Sequence, residues 1–322
     1  MAIISKTKFK MKKFTHESMQ DILIYLKANT KCSIEVLNPD SALEAHAGEL
    51  IEKEGITYVY RSYKAWNDLA ELLFCKLLTP KVVSTYTIVL SFHELNLEQS
   101  FHNEKKLKEE KYGQASSFSL INKNEEPSYI NAYVEALKNV KVHSRKNILN
   151  LGVNRADEFE VISKLLSKED FDKLKLVGVD FCPSAIQIAR ERFPSNAVFH
   201  THDINDLKSL NLEKTDLLIS IGTLQSSSLN FKLLFMSLVQ EYLNKDGSII
   251  LGFPNCRWMG GEMIFGAKAK NYSYSEMSVL HKDIYFCKKY LQQKKFRVTL
   301  TGKNYIFLSA TKIIKEQNTA SL

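Results

Sequence analysis

Five places in this 322-residue sequence combine residue types and spacing that suit holding a polar ligand. Asp180 ends the apolar run Leu176-Val177-Gly178-Val179 and is followed by Phe181. A carboxylate at such a strand end presents two oxygens, a geometric match for two adjacent hydroxyl donors. Asp203 ends Phe199-His200-Thr201-His202 and has the apolar Ile204 after it. Gly152 follows Leu149-Asn150-Leu151, where the absence of a Cβ suits a tight turn and close backbone approach. Asn154, two residues on, is of the type that next best tolerates left-handed backbone geometry. Gly222 ends the run Asp216–Ile221 and leads into Leu224 and Gln225. The stretch Pro254–Glu262 gathers Arg257, Trp258, two glycines and Glu262. That composition suits a polar substrate, with Trp258 as an apolar wall and Arg257 and Glu262 as orienting charges.

Other chemistries find less support. Cys32, Cys75, Cys182, Cys256 and Cys287 are far apart, odd in number and form no CxxC pair, so neither a metal site nor a disulfide framework is expected. Free cysteines fit a reducing cytoplasm. No apolar run approaches the ~20 residues that span a bilayer, and the lysine-rich start from Met1 to Phe14 lacks the apolar stretch of a signal peptide. The formal net charge of +8 favours an anionic partner such as RNA, although lysine-rich genomes give basic proteins without that role. His200, His202, His281 and Glu262 are the candidate bases, and none stands out as catalytic.

The elements that must position these residues fall into two patterns. Residues 1–95 read as a small α+β unit. Its helices are His16–Ala28 and Ala65–Leu78, and its strands lie near Cys32–Leu37, Ile56–Tyr60 and Val82–Phe92. Residues 96–143 hold a charged run and the helix Ser128–Asn139 opened by Pro127. From Asn147 onward strands and helices alternate. The strands are Asn147–Leu151, Leu174–Val179, Ala197–Thr201, Asp216–Ile221 and Ser248–Phe253, then the pair Arg297–Thr301 and Asn304–Thr311. The helices are Glu158–Leu166, Pro183–Arg192, Phe231–Leu243 and Lys282–Gln293. Short apolar strands in repeated β-α-β order predict an α/β fold. Its doubly wound, mostly parallel seven-stranded sheet ends in an antiparallel hairpin.

In this order of elements, residues 144–315 resemble the class I, Rossmann-like S-adenosylmethionine-dependent methyltransferases; residues 316–322 read as a tail. The run Leu149–Ala156 aligns with the family's hhDhGxGxG motif. Gly152 matches the first glycine, Asn154 and Ala156 replace the other two, and Asn150 replaces the acidic residue. The resemblance implies a cofactor, S-adenosylmethionine, held by Asn150, Gly152, Asn154, Asp180, Phe181, Asp203, Ile204, Gly222 and Leu224. In it Asp180 takes the ribose hydroxyls and Asp203 the adenine amino group, while Asp157 and Glu158 can supply the charge that Asn150 lacks. Substrate contacts are then expected from Gln225, Arg257, Trp258 and Glu262. Ser226-Ser227-Ser228 is expected to include a cap for the next helix. Substrate choice is expected to lie in the amino-terminal unit and in Tyr112–Tyr129, where Phe118-Ser119-Leu120-Ile121 followed by Glu125-Glu126-Pro127 is expected to fold over the cofactor as a lid.

Methyl transfer from a sulfonium needs alignment and exclusion of water more than it needs a base, so the absence of an obvious base decides nothing. The acceptor is expected to be a small molecule. The alternatives are RNA docked by the basic amino-terminal region, and a non-catalytic binding module that has lost its cofactor.

Overall fold

The computed structural model describes residues 11–29, 32–96, 98, 110–226, 228–267 and 275–313. Lys6, Lys8, Lys10, most of the charged run after Glu104, Ser227 and the tail lie outside these residues. Residues 1–97 and 98–322 form two compact units.

In the first unit the elements are β1 (Lys12–Lys13), α1 (Met19–Ala28), β2 (Ser33–Leu37), β3 (Leu50–Lys53), β4 (Ile56–Val59), α2 (Tyr63–Leu72), β5 (Cys75–Leu77), β6 (Lys81–Val82) and β7 (Thr87–Glu94). Helix α1 starts where Ser18 accepts from the Asp21 amide and Asp21 reaches back to the Ser18 amide, a reciprocal cap. Strand β7 pairs antiparallel with β2, and Trp66, Ile22, Ile34 and Leu90 fill the core between sheet and helices. The sequence pattern carries a helix from Ala65 to Leu78. Instead it stops at Leu72, Phe74 turns left-handed at φ 53°, and Cys75–Leu77 pairs with the end of β7. Cross-strand pairing there overrides the local helical spacing.

The second unit opens with α3 (Pro127–Asn139) and continues with β8 (Asn147–Leu151), α4 (Asp157–Leu165), α5 (Lys168–Asp172), β9 (Lys175–Asp180), α6 (Pro183–Arg192), β10 (Ala197–Thr201) and β11 (Thr215–Ile221). It ends with α7 (Phe231–Ser237), β12 (Leu243–Pro254), β13 (Cys256–Met259), β14 (Glu262–Phe265), α8 (Ser278–Gln293), β15 (Phe296–Gly302) and β16 (Tyr305–Lys312). The sheet order is β10-β9-β8-β11-β12-β16-β15. Strands β8 to β12 pair in parallel, while β16 runs antiparallel to both β12 and β15. This is the seven-stranded, mostly parallel α/β sheet with its antiparallel end.

The central strands β8, β9 and β11 are mostly apolar because both faces are covered. Along β8, Ile148 faces one core, while Leu149 and Leu151 face the other. Helices α3, α4 and α6 cover the first face, and α7 and α8 the second. Helix α3 is anchored on β16 by aromatic contacts. Tyr129 meets Tyr305 edge-on at 5.0 Å between ring centroids, and Tyr133 stacks on Phe307 at 5.7 Å. That anchor fixes the chain just ahead of α3, which bears on the site.

Two further differences from the sequence reading concern loops. Pro254–Glu262, read as a loop, contributes most of the β13–β14 hairpin, with Met259 opposite Glu262 across Gly260-Gly261. Helix α7 has Asn230 at its amino-terminal cap, without a side-chain cap bond; Ser226 and Ser228 bond each other instead at 3.0 Å.

Candidate active site

The carboxyl ends of β8, β9 and β11 lie side by side, the part of an open α/β sheet where ligands bind. After β8 the chain turns through three left-handed residues at alternate positions: Gly152 (φ 74°), Asn154 (φ 46°) and Ala156 (φ 65°). The backbone thus keeps the shape of a three-glycine loop with one glycine in it. Asn bears that conformation readily, whereas for Ala156 it costs about 1–2 kcal/mol. The loop holds its shape through backbone bonds to β9, with the Gly152 amide donating to Val179 O at 2.8 Å.

Asp180 ties the loop to the end of β9. Its Oδ2 accepts from the Asn154 amide at 2.8 Å and its Oδ1 from the Cys182 amide at 2.9 Å. A carboxylate has roughly four lone-pair sites, so about two remain for a ligand. Burial pushes the Asp180 pKa up, and the backbone amides of Cys182, Asn154 and Phe181 hold it back only in part.

Beneath the loop lies a buried charged pair, of which the sequence reading singled out Glu158 but not Lys123. Glu158, in the first turn of α4, is 3% exposed. Its carboxylate accepts from Asn150 Nδ2 at 3.3 Å and pairs with Lys123 Nζ at 3.0 Å. A carboxylate only accepts, so the Asn150 amide must turn its nitrogen toward Glu158. That leaves Asn150 Oδ1 buried without a partner among the described residues. The Tyr129 hydroxyl is likewise buried and unpartnered, and Lys123 Nζ lies 5.4 Å from the Tyr129 ring centroid. Burial alone would lower the Lys123 pKa, but the neighbouring Glu158 carboxylate outweighs it and holds the pKa well above its usual value. A carboxylate thus stands beside Asn150, contributed by position 158 and paired with Lys123.

Residues 110–124 fasten across this loop at both ends. Tyr112 O accepts from Asn154 Nδ2 at 3.0 Å, and the Gln114 amide donates to Ser184 Oγ at 2.9 Å. Ser184 Oγ in turn donates to Glu110 Oε2 at 2.6 Å. Further along, Arg155 donates to Ser119 O at 2.5 Å and to Ile121 O at 3.0 Å, and Asn124 Nδ2 donates to Asp157 O at 3.1 Å.

The other expected site residues are less closely gathered. Gly222 turns the chain at φ 72°, and Thr223 behind it packs on Gly152. Ile204 and Leu224 are buried in the second core with Leu149 and Leu151. Asp203 caps the turn that follows it, accepting from the Asn205 amide at 2.9 Å. Phe181 is 39% exposed. Gln225 keeps a buried Oε1 without a partner among the described residues. Trp258 is buried, Arg257 half-buried, and Glu262 exposed at the hairpin turn. Glu262 and burial together push the Glu126 pKa up, burial being the larger cause.

Among the candidate bases, His202 Nε2 is occupied by Asp206 O at 2.8 Å and Ser209 Oγ at 2.9 Å. Burial, then His202 and Arg190, push the His200 pKa down, and His281 is exposed on α8. Among the described residues no group of three or more His, Cys, Asp or Glu side chains is placed to hold a metal, and no helix is long and apolar enough to cross a membrane.

The profile of the family described as a methyltransferase domain matches residues 142–297, just under half of the chain. That match covers the loop, Asp180, Glu158 and the ends of β8 to β12. Residues 142–297 are thus similar to methyltransferase domains. No curated protein matches the chain.

Several solved methyltransferases share the arrangement distantly. The N-methyltransferase NodS from Bradyrhizobium japonicum WM9, crystallised with S-adenosyl-L-homocysteine, is 14% identical; the match covers 67% of this chain and 97% of that one at a TM-score of 0.41. The ribosomal protein L11 methylase from Lactobacillus delbrueckii subsp. bulgaricus is 12% identical over 57% of this chain and 80% of that one, at 0.37. The plantazolicin methyltransferase BpumL, in complex with a monoazolic desmethylPZN analogue and SAH, is 12% identical over 58% and 84%, at 0.41. At these scores the likenesses bear on neither the ligand contacts nor the substrate of this chain.

The residues of this site are compatible with S-adenosylmethionine, the donor that the resemblance implies. Asp180 has acceptor sites to spare for a pair of hydroxyls, and Asn150 Oδ1 is an orphaned acceptor next to a buried carboxylate. Lys123 and Tyr129 escape sequence reasoning because their partners lie far along the chain; Glu158 had a signal only in following the loop.

Proposed function

We propose that this chain binds S-adenosylmethionine across the ends of β8 and β9 and methylates a small-molecule acceptor. The observation that carries the reading is the join between the left-handed loop and Asp180, made by the Asn154 amide at 2.8 Å. It aims a buried carboxylate and a glycine-type turn at one place despite two missing glycines. Asp180 would accept the ribose hydroxyls, Asn150 and Glu158 would face the amino-acid end, and Asp203 with Phe181 would border the adenine.

When bound, the donor supplies an activated methyl on a cationic sulfur. The chain's task is to align the acceptor with that methyl and keep water out. Residues 110–124 serve the second purpose by closing over the loop. Thr223 and the turn at Gly222 border the side from which an acceptor approaches, with Gln225, Arg257, Trp258 and Glu262 as its contacts. A site covered by its own chain suits an acceptor small enough to be enclosed, which favours a small molecule over RNA. Calorimetric titration of the full chain with S-adenosylhomocysteine tests the reading. Micromolar binding that Asp180→Ala abolishes supports it; folded protein that binds neither S-adenosylhomocysteine nor S-adenosylmethionine leaves a non-catalytic scaffold.

A further inference from the structure

We infer that the rim of the sheet opposite the candidate active site docks a single strand of nucleic acid by its phosphates. The formal charge of +8 is unevenly placed. Residues 1–97 hold 12 basic and 11 acidic side chains, so nearly all of the excess belongs to the second unit. There it gathers where β8 to β12 begin. The end of β16 and the start of β15 lie level with them, Thr311 opposite Ser248 and Phe296 opposite Lys312. The segments at this rim are 141–146, 173–175, 194–197, 213–216, 244–247, 294–297 and residue 312. They carry eleven Lys or Arg against three Asp or Glu, a balance of +8 that equals the excess of the whole chain. At the opposite rim, segments 152–157, 180–184, 202–206, 222–226 and 302–304 carry two basic and four acidic residues.

Six neighbouring strands each bring a cation to the rim. In sheet order these are Lys175, Lys146, Lys214, Lys245, Lys312 and Lys294. At a strand spacing of about 4.8 Å the row runs for about 24 Å. All but the half-buried Lys312 are exposed. Lys173 nearby is paired with Glu169 at 2.7 Å, but none of the six is in an ion pair among the described residues. Asp216 is engaged by the Lys146 and Asn147 amides at 3.1 Å each and by Asn244 Nδ2 at 2.7 Å. Burial first, and then Lys294, lower the Lys312 pKa, with Asp246 opposing them. Cations gathered in this way repel one another, and a polyanion laid along them relieves that repulsion.

The form of the row selects the occupant. A flexible single strand can follow a straight line of cations, whereas each backbone of a duplex winds away from one. Adsorption to a bilayer gains from apolar side chains that enter it, and no large apolar side chain is exposed in these segments. The same holds for aromatic rings, so contact is to phosphate without base stacking and is independent of base sequence. Strands of five to seven residues separate this rim from the candidate active site, roughly 20 Å at 3.3 Å per residue. The strand held here anchors the protein and is not its methyl acceptor, so the inference stands apart from the function proposed above.

The test measures binding of the full chain to a fluorescent oligouridylate of about 20 nucleotides, long enough to cover the row, by anisotropy between about 50 and 200 mM salt. Six phosphate contacts predict a slope of log affinity on log salt of about −4. The variant Lys175→Glu/Lys294→Glu/Lys295→Glu should lose about 10-fold or more in affinity at the lower salt. A control with the same change in net charge, Lys27→Glu/Lys81→Glu/Lys282→Glu, should stay within about threefold, because exposed charges away from the row are screened. Both variants should keep the affinity of the unmodified chain for S-adenosylhomocysteine. Equal losses in the two variants would reduce the effect to net charge and overturn the docking surface. Absence of binding to the oligouridylate overturns it as well. So does tighter binding to a duplex of the same length, to polyglutamate or to phosphatidylserine vesicles, the last of which would assign the rim to a membrane.

Discussion

The Asn150 amide donates to the Glu158 carboxylate across 3.3 Å, so the end of β8 has a carboxylate beside it, brought by the helix that follows. The two residues act as one unit, and moving the charge between them should be tolerated better than doubling or deleting it. Asn150→Asp places two buried carboxylates together, and Glu158→Gln leaves Lys123 buried without its counter-ion. Each single change should cost about 3 kcal/mol, the scale of an uncompensated buried charge. The double variant Asn150→Asp/Glu158→Gln restores one negative charge near Lys123. It should be less destabilised than the sum of the singles by about 1–3 kcal/mol. Urea denaturation of the four proteins measures this coupling, and simple additivity would show that the pair is not a unit.

Asp180 gives a pH dependence with a defined sign. Burial raises its folded-state pKa above that of the unfolded chain. Its contribution to stability is therefore fully present below the unfolded value and is lost as pH rises through the folded value. Ligand binding follows the opposite course, since the ionised carboxylate is the better acceptor for hydroxyl donors. Affinity for S-adenosylhomocysteine should fall on acidification through the raised folded value, beginning above the ordinary aspartate range. Calorimetry between neutral and mildly acid pH reads this out. A flat profile down to the usual aspartate pKa would detach Asp180 from the ligand.

Arg155 links the covering segment to the loop by donating to two of its carbonyl oxygens, Ser119 O and Ile121 O, while also facing Asp157 at 3.3 Å. Arg155→Ala removes those donors without touching Lys123 or Asp180. Amide hydrogen exchange should accelerate about 10-fold or more across residues 119–124, as expected if the lost bonds are worth about 1.5 kcal/mol to closure. Exchange in β8 and β11 should be unchanged. Uniform acceleration through the sheet would instead mean that Arg155 supports global stability.

Much of this fold is legible in the sequence because the sheet is covered on both faces. Helix α6 and strand β10 lie at the residues that apolar runs and Pro183 mark. What pattern reading misses is decided by contacts between distant residues. Helix α2 stops at Leu72 because Cys75–Leu77 finds the end of β7. The β13–β14 hairpin is short, and its Gly260-Gly261 turn sits in a stretch whose mixed composition resembles a loop. In the site, Asp180 and Gly152 are marked by their place at strand ends. Lys123 opens a three-residue 3-10 turn too short to show a periodic pattern, and its partner Glu158 lies 35 residues away. No local spacing can reveal that pair.

Gly152 offers the sharpest check on the loop's shape. Its φ of 74° is one that residues with a side chain adopt at a cost, and a Cβ there would stand 1.8 Å from Thr223 Oγ1. Gly152→Ala should therefore destabilise the protein by about 2 kcal/mol or more, with the left-handed backbone accounting for about 1–2 of it. Adding Thr223→Gly opens the space and should recover the steric part alone. The residual loss then measures the backbone strain. Asn154 and Ala156 bear the same conformation with side chains present, so the loop already tolerates it where no neighbour intrudes. Thermal denaturation of the single and double variants separates the two contributions. A Gly152→Ala protein as stable as the unmodified one would mean that the turn joining β8 to Asp180 takes a different path.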